Sequence, residues 1–411
     1  MISLFCFTVL AVVLWNFINR TNHKLAVFTA AMAGTAVAVG CLCYYGNAFP
    51  YFTDGEAAIG WMYGSLASLG WLFMFILALP VLVVTAVGCA IYRGIQWIRR
   101  RLQHKKNPPA VAVPVSGTMS RRTFLKGAAA AIPVLSLGTG MIGNFLGEKD
   151  LAVTVHPLLF AGLPDYLEGY RIGQISDVHM GLFFSPRRLQ EALDALAEQH
   201  VNRLVMTGDL IDEVSLLPEF QQILVDNAAR FPDGIDFCYG NHEYYRGFDD
   251  ITAMLTQTPV RILRNSHFMA SPGRGSELAG RQGRDDIPFY IAGVDYSFAR
   301  GKEAFDEARE SYVTAALQGI PDNAFVILLA HHPDFIDEAF AHHIPLTLCG
   351  HTHGAQFAPL GPLVQAVGFK YLRGLFHKDG CYGYVNRGTG HWLPFRMGCS
   401  REVSVFEMMS Q

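Results

Sequence analysis

Short apolar runs that alternate with segments of helical periodicity, from Tyr170 onward, constrain the fold of this chain more than any other feature. Runs of β-branched and apolar residues predict strands, and the intervening amphipathic segments predict helices. Strands interleaved with helices indicate a layered α/β domain, which we predict to span residues 151–411. A surface loop rich in Gly, Ser and Arg is predicted at Ser271–Arg284. The predicted strands are Arg171–Ser176, Arg203–Thr207, Ile235–Tyr239, Phe289–Gly293, Phe325–Ala330 and Ile344–Cys349, and the predicted helices are Pro186–His200 and Pro218–Arg230.

Five of these strands are each followed by a short block of polar residues. The blocks are Ser176–His179, Gly208–Asp212, Gly240–Glu243, Ala330–Pro333 and Gly350–Gly354. In open α/β sheets, ligands collect at the carboxyl ends of the strands, so we expect the five blocks to meet in one place. Residues i and i+2 of an extended segment share a face, which lets Asp177 and His179 point the same way. The same spacing separates His351 from His353.

The residue types in these blocks predict a pair of metal ions. Imidazole and carboxylate together suit Zn, Mn, Fe or Ni better than Ca or Mg, and we expect Mn, Zn or Fe. The candidate ligands are too many for one tetrahedral ion, but they suit two divalent ions about 3.5–4 Å apart. One carboxylate must then bridge the ions, and the central Asp209 is the natural choice. The seven candidates are Asp177, His179, Asp209, Asn241, His331, His351 and His353.

Taken together and in this order, the blocks resemble the calcineurin-like metallophosphoesterase superfamily, over about Tyr170 to Glu407. The resemblance implies a four-layer α/β/β/α sandwich and a metal-dependent phosphoric ester hydrolase. It implies that His242 is the catalytic residue beside the phosphate and that His331, rather than His332, binds metal. Asp212 would support the site from outside the ligand set. One implied ligand set is Asp177, His179, Asp209 and His353, and the other is Asp209, Asn241, His331 and His351.

The C-terminal tail adds a narrower resemblance. Arg387–Gly390, followed by Pro394, Arg396 and Gly398, is similar to the ending of the membrane-attached and exported branch of this superfamily. That branch includes twin-arginine-exported phosphodiesterases and UDP-2,3-diacylglucosamine pyrophosphate hydrolases. The chain departs from the branch at Ala355, where a glycine is usual. Arg387 and Arg396 are candidates for phosphate binding because arginine grips phosphate in a bidentate manner, and structural ion pairing is the alternative.

The first part of the chain is predicted to cross a membrane. Only 16% of the residues are charged, and residues 1–106 contain three long apolar runs, which predict three transmembrane helices. Lys and Arg concentrate in the first loop and after the third run, so the positive-inside tendency places both in the cytoplasm. The three runs are Ile2–Ile18, Leu25–Phe49 and Gly64–Ile91.

A linker follows at residues 107–126 and carries Ser120–Lys126, which resembles a twin-arginine export signal through Arg121 and Arg122. The alternative is that these arginines only anchor a fourth helix, predicted at residues 127–147. Both interpretations predict a multi-pass protein of the bacterial inner membrane with its catalytic domain on the periplasmic side. The export interpretation also predicts the twin-arginine translocase as a partner.

The expected function is hydrolysis of phosphodiester or pyrophosphate bonds in a lipid-linked or envelope substrate. The alternatives are pyrophosphate hydrolysis of the UDP-2,3-diacylglucosamine type in lipid A synthesis and a non-catalytic membrane sensor. Lys and Arg number 32 against 35 Asp and Glu, so no basic excess indicates nucleic acid as a partner. The eight cysteines form no Cys-x-x-Cys pair, which argues against a zinc ribbon. Tyr244 and Tyr245 are predicted in the core, with a position in the substrate cleft as the alternative.

Overall fold

The computed structural model divides the chain into two compact units, Met1–Phe145 and Leu146–Gln411. The structure describes residues 82–102, 151–181, 184–271, 287–358, 361–391 and 396–411, together with the single positions 14, 17 and 143. In the first unit, helix α1 occupies residues 82–102. It continues beyond the predicted third apolar run, which ends at Ile91, and includes Arg93 and the three arginines at 99–101.

The predicted localisation is wrong for the part of the chain that the structure describes. No helix there combines the length and the apolar character that a membrane crossing requires. The apolar part of α1 before its first arginine spans only residues 82–92, whereas a membrane crossing needs about 20 apolar residues. This finding overturns the predicted multi-pass inner-membrane protein with a periplasmic catalytic domain. Most of the predicted segments 1–106, 107–126 and 127–147, with Arg121 and Arg122, lie outside the described residues.

The second unit contains two six-stranded mixed sheets. The first sheet has the strand order β1-β12-β2-β3-β4-β5, and the second has the order β10-β11-β9-β8-β7-β6. Strands β2 to β5 are parallel to one another, and so are β7, β8, β9 and β11. The strands are β1 Leu151–Phe160, β2 Arg171–Ile175, β3 Arg203–Thr207, β4 Ile235–Cys238, β5 Val260–Leu263, β6 Ser266–Ala270, β7 Phe289–Gly293, β8 Phe325–Leu329, β9 Leu346–Cys349, β10 Gly374–Lys378, β11 Cys381–Val385 and β12 Arg401–Ser410.

Seven α-helices accompany these sheets among the described residues of the second unit. Helix α2 begins at a proline after Ser185, whose hydroxyl accepts a hydrogen bond from the Arg188 N–H as an N-cap. The helices are α2 Pro186–Ala197, α3 Leu217–Asn227, α4 Asn241–Arg246, α5 Phe248–Leu255, α6 Lys302–Leu317, α7 Phe335–Ala341 and α8 Gly361–Val367.

Three hydrophobic clusters separate four layers, as the α/β/β/α prediction requires. Alternate residues of the central strands enter different clusters, because successive strand residues face opposite sides of a sheet. In β3, Leu204 packs under α2 and α3 whereas Val205 packs between the two sheets. In β8, Ile327 faces the space between the sheets and Leu328 faces α6 and α7. Both sheets are therefore buried on two sides, which explains why their central strands are continuous apolar runs.

The predicted strands are present with end points that differ by two residues at most, and β3 and β7 have the predicted bounds. The predicted helix Pro186–His200 ends at Ala197, three residues early. The second predicted helix begins at Leu217, and its last turn, 228–230, is a 3₁₀-helix. The predicted loop Ser271–Arg284 lies outside the described residues except for Ser271.

Candidate metal centre

The five polar blocks meet at the carboxyl ends of β2, β3, β4, β8 and β9. Backbone hydrogen bonds join the loops that carry them. The N–H groups of Asp177 and His179 donate to the carbonyl oxygens of Gly208 and Asp209, each at 3.0 Å. In the second sheet, the Gly350 N–H donates to the His331 carbonyl at 3.0 Å. The site is therefore built on rigid strand ends from both sheets.

Five of the predicted site residues have a left-handed backbone. Non-glycine residues are rare in this region, although Asp, Asn and His tolerate it better than most types. Such conformations cost about 1–3 kcal/mol each and persist where the surrounding structure fixes them, commonly at functional sites. The φ angles are 50° at Asp177, 47° at His179, 55° at Asp209, 74° at His351 and 50° at His353.

Glycine is required where the blocks approach one another. A Cβ atom added at Gly350 would overlap the side chains of Ser176 and Asp177. One added at Gly240 would overlap the Asp209 carboxylate. The two glycines let neighbouring loops bring their ligand atoms within reach of one ion.

The first group of candidate ligands comprises Asp177, His179 and His353, whose ligand atoms all lie within 4.8 Å of one another. The Nε2 atoms of His179 and His353 are 3.0 Å apart, and His353 Nε2 is 3.4 Å from Asp177 Oδ1. Two imidazole nitrogens at this distance repel unless a proton or a cation lies between their lone pairs. Because the Asp177 carboxylate adds a negative charge at the same point, a divalent cation fits between these ligand atoms better than a proton does.

The second group comprises Asp209, His331 and His351, again within 4.8 Å. His331 Nε2 lies 3.1 Å from His351 Nδ1 and 3.2 Å from Asp209 Oδ2. The Asn241 Oδ1 atom is buried and has no hydrogen-bond partner within the described part of the chain. An orphaned buried amide oxygen is costly, and coordination of a metal would account for it.

Asp209 occupies the bridging position. Its Oδ2 atom lies 3.2 Å from His331 Nε2 in one group and 3.7 Å from His179 Nε2 in the other. Burial raises the pKa of the carboxyl group, but His331 and His179 oppose this and hold it well below the usual range. Asp209 is therefore ionised, as a carboxylate shared between two cations must be.

The protonation states of two of the histidines, His351 and His353, also suit metal binding. Burial, reinforced by His331, lowers the pKa of His351 to about 3, and burial with His179 lowers the pKa of His353 well below its usual range. Both are thus neutral imidazoles, the form that coordinates metal. His331 Nδ1 lies 2.7 Å from the Thr207 carbonyl, which can only accept, so this nitrogen carries a proton. Although burial opposes it, Asp209 and Asp177 raise the pKa of His331 to about 10, so a cation at this position would have to displace the proton from Nε2.

His242 lies beside both groups. Its Nδ1 atom is 2.5 Å from Asp212 Oδ1, and its backbone N–H donates to Asp209 Oδ1 at 2.8 Å. The ring meets that of His179 edge to face, with centroids 4.4 Å apart. The Asp212 carboxylate accepts a hydrogen bond from the Nδ1–H group of His242. This contact orients the ring and leaves the Nε2 atom available to the substrate. The same Asp212 oxygen is 3.3 Å from His179 Nδ1.

Glu243 has a role that the sequence analysis did not assign. Its buried carboxylate accepts hydrogen bonds from the N–H groups of Asp209 at 3.0 Å, Leu210 at 2.7 Å and Gly240 at 2.8 Å. It therefore ties the loop of the bridging residue to the start of α4. The sequence carried a signal for this role of Glu243, because a glutamate at the third residue of a helix is typical of a capping box.

We expect Glu243→Gln to lower the free energy of unfolding by about 1.5–3 kcal/mol, the usual value of hydrogen bonds to a charged group. The amide replaces one acceptor oxygen by a donor that faces backbone N–H groups. Urea denaturation of the full chain measures the loss. The exposed Glu219→Gln in α3 is the matched control, and equal stability of the two variants would contradict the role of Glu243.

The two arginines of the C-terminal tail have protein partners. Arg396 is 1% exposed, and it donates to the carbonyl oxygen of Arg387 at 2.9 Å and approaches His353 Nδ1 at 3.3 Å. Arg387 donates to Glu402 Oε1 at 2.9 Å. These contacts favour a structural role in ion pairs and hydrogen bonds, which was the alternative in the sequence analysis. Phosphate binding by Arg387 and Arg396 stays a prediction.

Aromatic side chains border the centre. The Tyr296 ring lies 5.7 Å from the His351 ring, and the Tyr245 ring lies 5.8 Å from the His242 ring, between centroids. Tyr245 is 64% exposed, so its predicted core position is wrong, whereas Tyr244 packs against the cluster beneath the first sheet. Nothing in its local sequence singled out Tyr296, because only the fold brings the end of β7 next to the histidines.

Comparison with known proteins finds a family model and several relatives to which this chain is similar. Residues 170–355 match the family model described as calcineurin-like phosphoesterase. An uncharacterized metallophosphoesterase of Bacillus subtilis, YkuE, is 29% identical over 301 residues, which are 71% of this chain and 98% of the relative. The phosphodiesterase YaeI of Escherichia coli is 26% identical over 300 residues, 71% of this chain and all of the relative.

Other similar proteins match over less of their length. A transmembrane protein with metallophosphoesterase domain from Danio rerio is 29% identical over 248 residues, 59% of this chain and 54% of the relative. Among solved structures, the crystal structure of TT1561 from Thermus thermophilus has a TM-score of 0.34 at 15% identity, over 53% of this chain and 89% of that one.

Proposed function

We propose that this metal-dependent phosphoester hydrolase, whose residues 170–355 match the calcineurin-like phosphoesterase model, hydrolyses phosphodiester or pyrophosphate bonds at a dinuclear centre. The observation that carries the proposal is the position of Asp209 between His179, which groups with His353 and the Asp177 carboxylate, and His331, which groups with His351. Asp177, His179, Asp209 and His353 would hold one cation. Asp209, Asn241, His331 and His351 would hold the other.

The chemistry follows from the residues around this centre. Two divalent cations, when bound, supply Lewis-acid stabilisation of the phosphoryl oxygens and lower the pKa of an attacking water. His242, when both ring nitrogens carry a proton, would give the Nε2 proton to the leaving oxygen, while Asp212 accepts the hydrogen bond from Nδ1–H and so keeps the ring in the orientation that transfer requires. Asp212 also restrains His179, and it therefore couples the position of the acid to one metal ligand.

The finer part of the proposal is a lipid-linked or envelope-derived substrate, which rests on the resemblance of the C-terminal tail. The name phosphodiesterase, carried by the Escherichia coli relative, supports a diester over a monoester. None of the three relatives described above is named for lipid A synthesis, so pyrophosphate hydrolysis of the UDP-2,3-diacylglucosamine type is the weaker candidate. The grouping of six of the seven candidate ligands, Asp177, His179, Asp209, His331, His351 and His353, argues against a non-catalytic sensor.

We expect the full chain to lose hydrolysis of bis-p-nitrophenyl phosphate after chelation and to recover it with Mn²⁺, Zn²⁺ or Fe²⁺. The ligand atoms are present in two sets, so the recovered protein should contain two metal ions per chain. Elemental analysis and release of p-nitrophenolate measure the two quantities, with p-nitrophenyl phosphate and extracted envelope lipids as further substrates. Purified protein that takes up no metal and leaves all of these phosphorus–oxygen bonds intact would refute the proposal.

A further inference from the structure

A cavity of about 510 Å³ adjoins the metal centre, and the proposed mechanism does not use it. This volume lies within the range of small-molecule binding sites. His332 belongs to its wall, and the His332 ring is 4.9 Å from that of the candidate ligand His351. The cavity therefore lies next to one of the candidate metal ligands. Its lining consists of Tyr296, Ser297, Phe298, Ala299, Gly301, Lys302, Phe305 and His332.

The lining is aromatic rather than aliphatic. Three of the eight residues are Phe or Tyr, one is histidine, and none is Leu, Ile, Val or Met. Sites that hold hydrocarbon chains need a continuous apolar wall, whereas Ser297 and Lys302 would leave polar groups against a chain. Aromatic walls with a few polar groups instead match a flat ring that has polar edges.

The rings are arranged to receive another ring. Phe298 meets Tyr296 at a centroid distance of 4.9 Å and an angle of 64°, and it meets Tyr245 at 5.8 Å and 58°. Phe305, also in the lining, stands edge to face against His332, at 5.0 Å and 77°. Aromatic pairs prefer such tilted geometries, and a ligand ring would extend the same pattern.

The exposure of two of these rings is unusual for a folded domain. Phe298 is 46% exposed and Tyr245 is 64% exposed, although both belong to one cluster with the partly buried Tyr244 and Tyr296. Tyr245 also contacts His242, so the aromatic surface runs from the candidate acid to the cavity. A contiguous exposed apolar patch beside a site typically marks the surface that a ligand covers.

We infer that the 296–305 cavity binds a planar aromatic ring carried by one ester arm of the substrate, with Phe298 as the main specificity-determining residue. The inference rests on the proposed phosphodiester hydrolysis and adds a substrate class to it. A diester has two organic groups, so a ring in this cavity leaves the second arm free to carry a lipid.

Competitive inhibition by phosphate monoesters tests the inference, because each monoester has the same phosphate and a different organic group. Hydrolysis of methyl p-nitrophenyl phosphate by the full chain with Mn²⁺ is the reporter reaction to be measured, and phenyl, cyclohexyl and hexyl phosphate are the inhibitors. Phenyl and cyclohexyl groups have similar bulk, but only phenyl is flat. We expect phenyl phosphate to bind about 2- to 10-fold more tightly than cyclohexyl phosphate, as aromatic pairing predicts.

Substitutions of Phe298 test whether this side chain causes the preference for phenyl phosphate. Phe298→Leu keeps apolar bulk and removes the ring, so the preference for phenyl should fall toward onefold while the cyclohexyl inhibition constant changes little. Phe298→Tyr should retain the preference. The exposed Met269→Ala, on β6, is a control that should leave the preference unchanged, and thermal unfolding and metal content show whether each variant is folded and loaded.

Three results would overturn the inference. They are equal binding of phenyl and cyclohexyl phosphate, tighter binding of hexyl phosphate, and a preference for phenyl that survives in Phe298→Leu. Calorimetric titration with the same monoesters gives the preference without any hydrolysis. A chain that never cleaves the reporter would therefore refute the proposed function, while the calorimetric preference would still decide the ring site.

Discussion

Replacement of Asp209 by asparagine is expected to lower the metal content of the purified chain. Phosphodiester hydrolysis should fall by more than the roughly 10- to 100-fold that loss of a residue supporting a metal ligand costs. Asp209 Oδ2 faces histidine nitrogens of both ligand groups, and the buried carboxylate provides negative charge between the two cations. Asparagine keeps the size and tolerates the left-handed backbone at this position, so the loss should come from coordination rather than from misfolding.

Elemental analysis and hydrolysis of bis-p-nitrophenyl phosphate, measured on the same preparation of Asp209→Asn, check this prediction. The control is Asp226→Asn, an exposed aspartate in α3 that accepts a hydrogen bond from Gln222 on the same helix. A variant at position 209 that still holds two metal ions and works at the original rate would show that the bridging carboxylate is elsewhere.

His242→Ala is expected to lower kcat by about 10²–10⁴-fold, the usual contribution of a general acid, and to leave metal content unchanged. The His242 ring is held by Asp212, its backbone N–H donates to the Asp209 carboxylate, and the ligand sets proposed above are complete without it. The loss should be larger for a methyl leaving group than for p-nitrophenolate, because a good leaving group needs little help from an acid.

The dependence on the leaving group separates this role from a structural one. His377→Ala, at an exposed position of β10, should change neither rate nor metal content. Equal losses of turnover and of metal in His242→Ala would assign the residue to coordination, in line with its position within 4.8 Å of ligand atoms of His179 and Asp209. An unchanged rate with every leaving group would remove it from the mechanism.

Most of the metal centre could be predicted from the sequence because its signals are local. Each ligand lies within a few residues of the end of a central strand. Because these strands are buried on both faces, their sequences are continuous apolar runs, and the polar residue that follows each run marks the end of the strand. The block from Gly208 to Asp212 follows β3 directly. The order of the blocks along the chain then sufficed to predict convergence, since parallel strands place their carboxyl ends together.

Features that depend on distant contacts could not be predicted. Strand β12 lies between β1 and β2 and includes the buried Glu402 and Ser404, which interrupt its apolar pattern. Their hydrogen bonds to Tyr384 and Asn386 on and after β11 make the burial possible, and no local pattern reports such partners. The aromatic cavity was missed for the same reason, because Tyr296 and Phe298 follow a strand that carries no polar block.

The left-handed backbone at five positions limits which amino acids could ever serve there as ligands. Aspartate and histidine accept that conformation comparatively well, but glutamate and cysteine, which also bind metals, would add roughly 1–2 kcal/mol of strain per position. Replacement of one of these ligands by glutamate or cysteine would thus strain the backbone, whether or not the new side chain could coordinate the metal. Asn241 and His331 are outside this set, since their φ angles are negative. Retuning of the centre toward another metal would have to begin at these two residues.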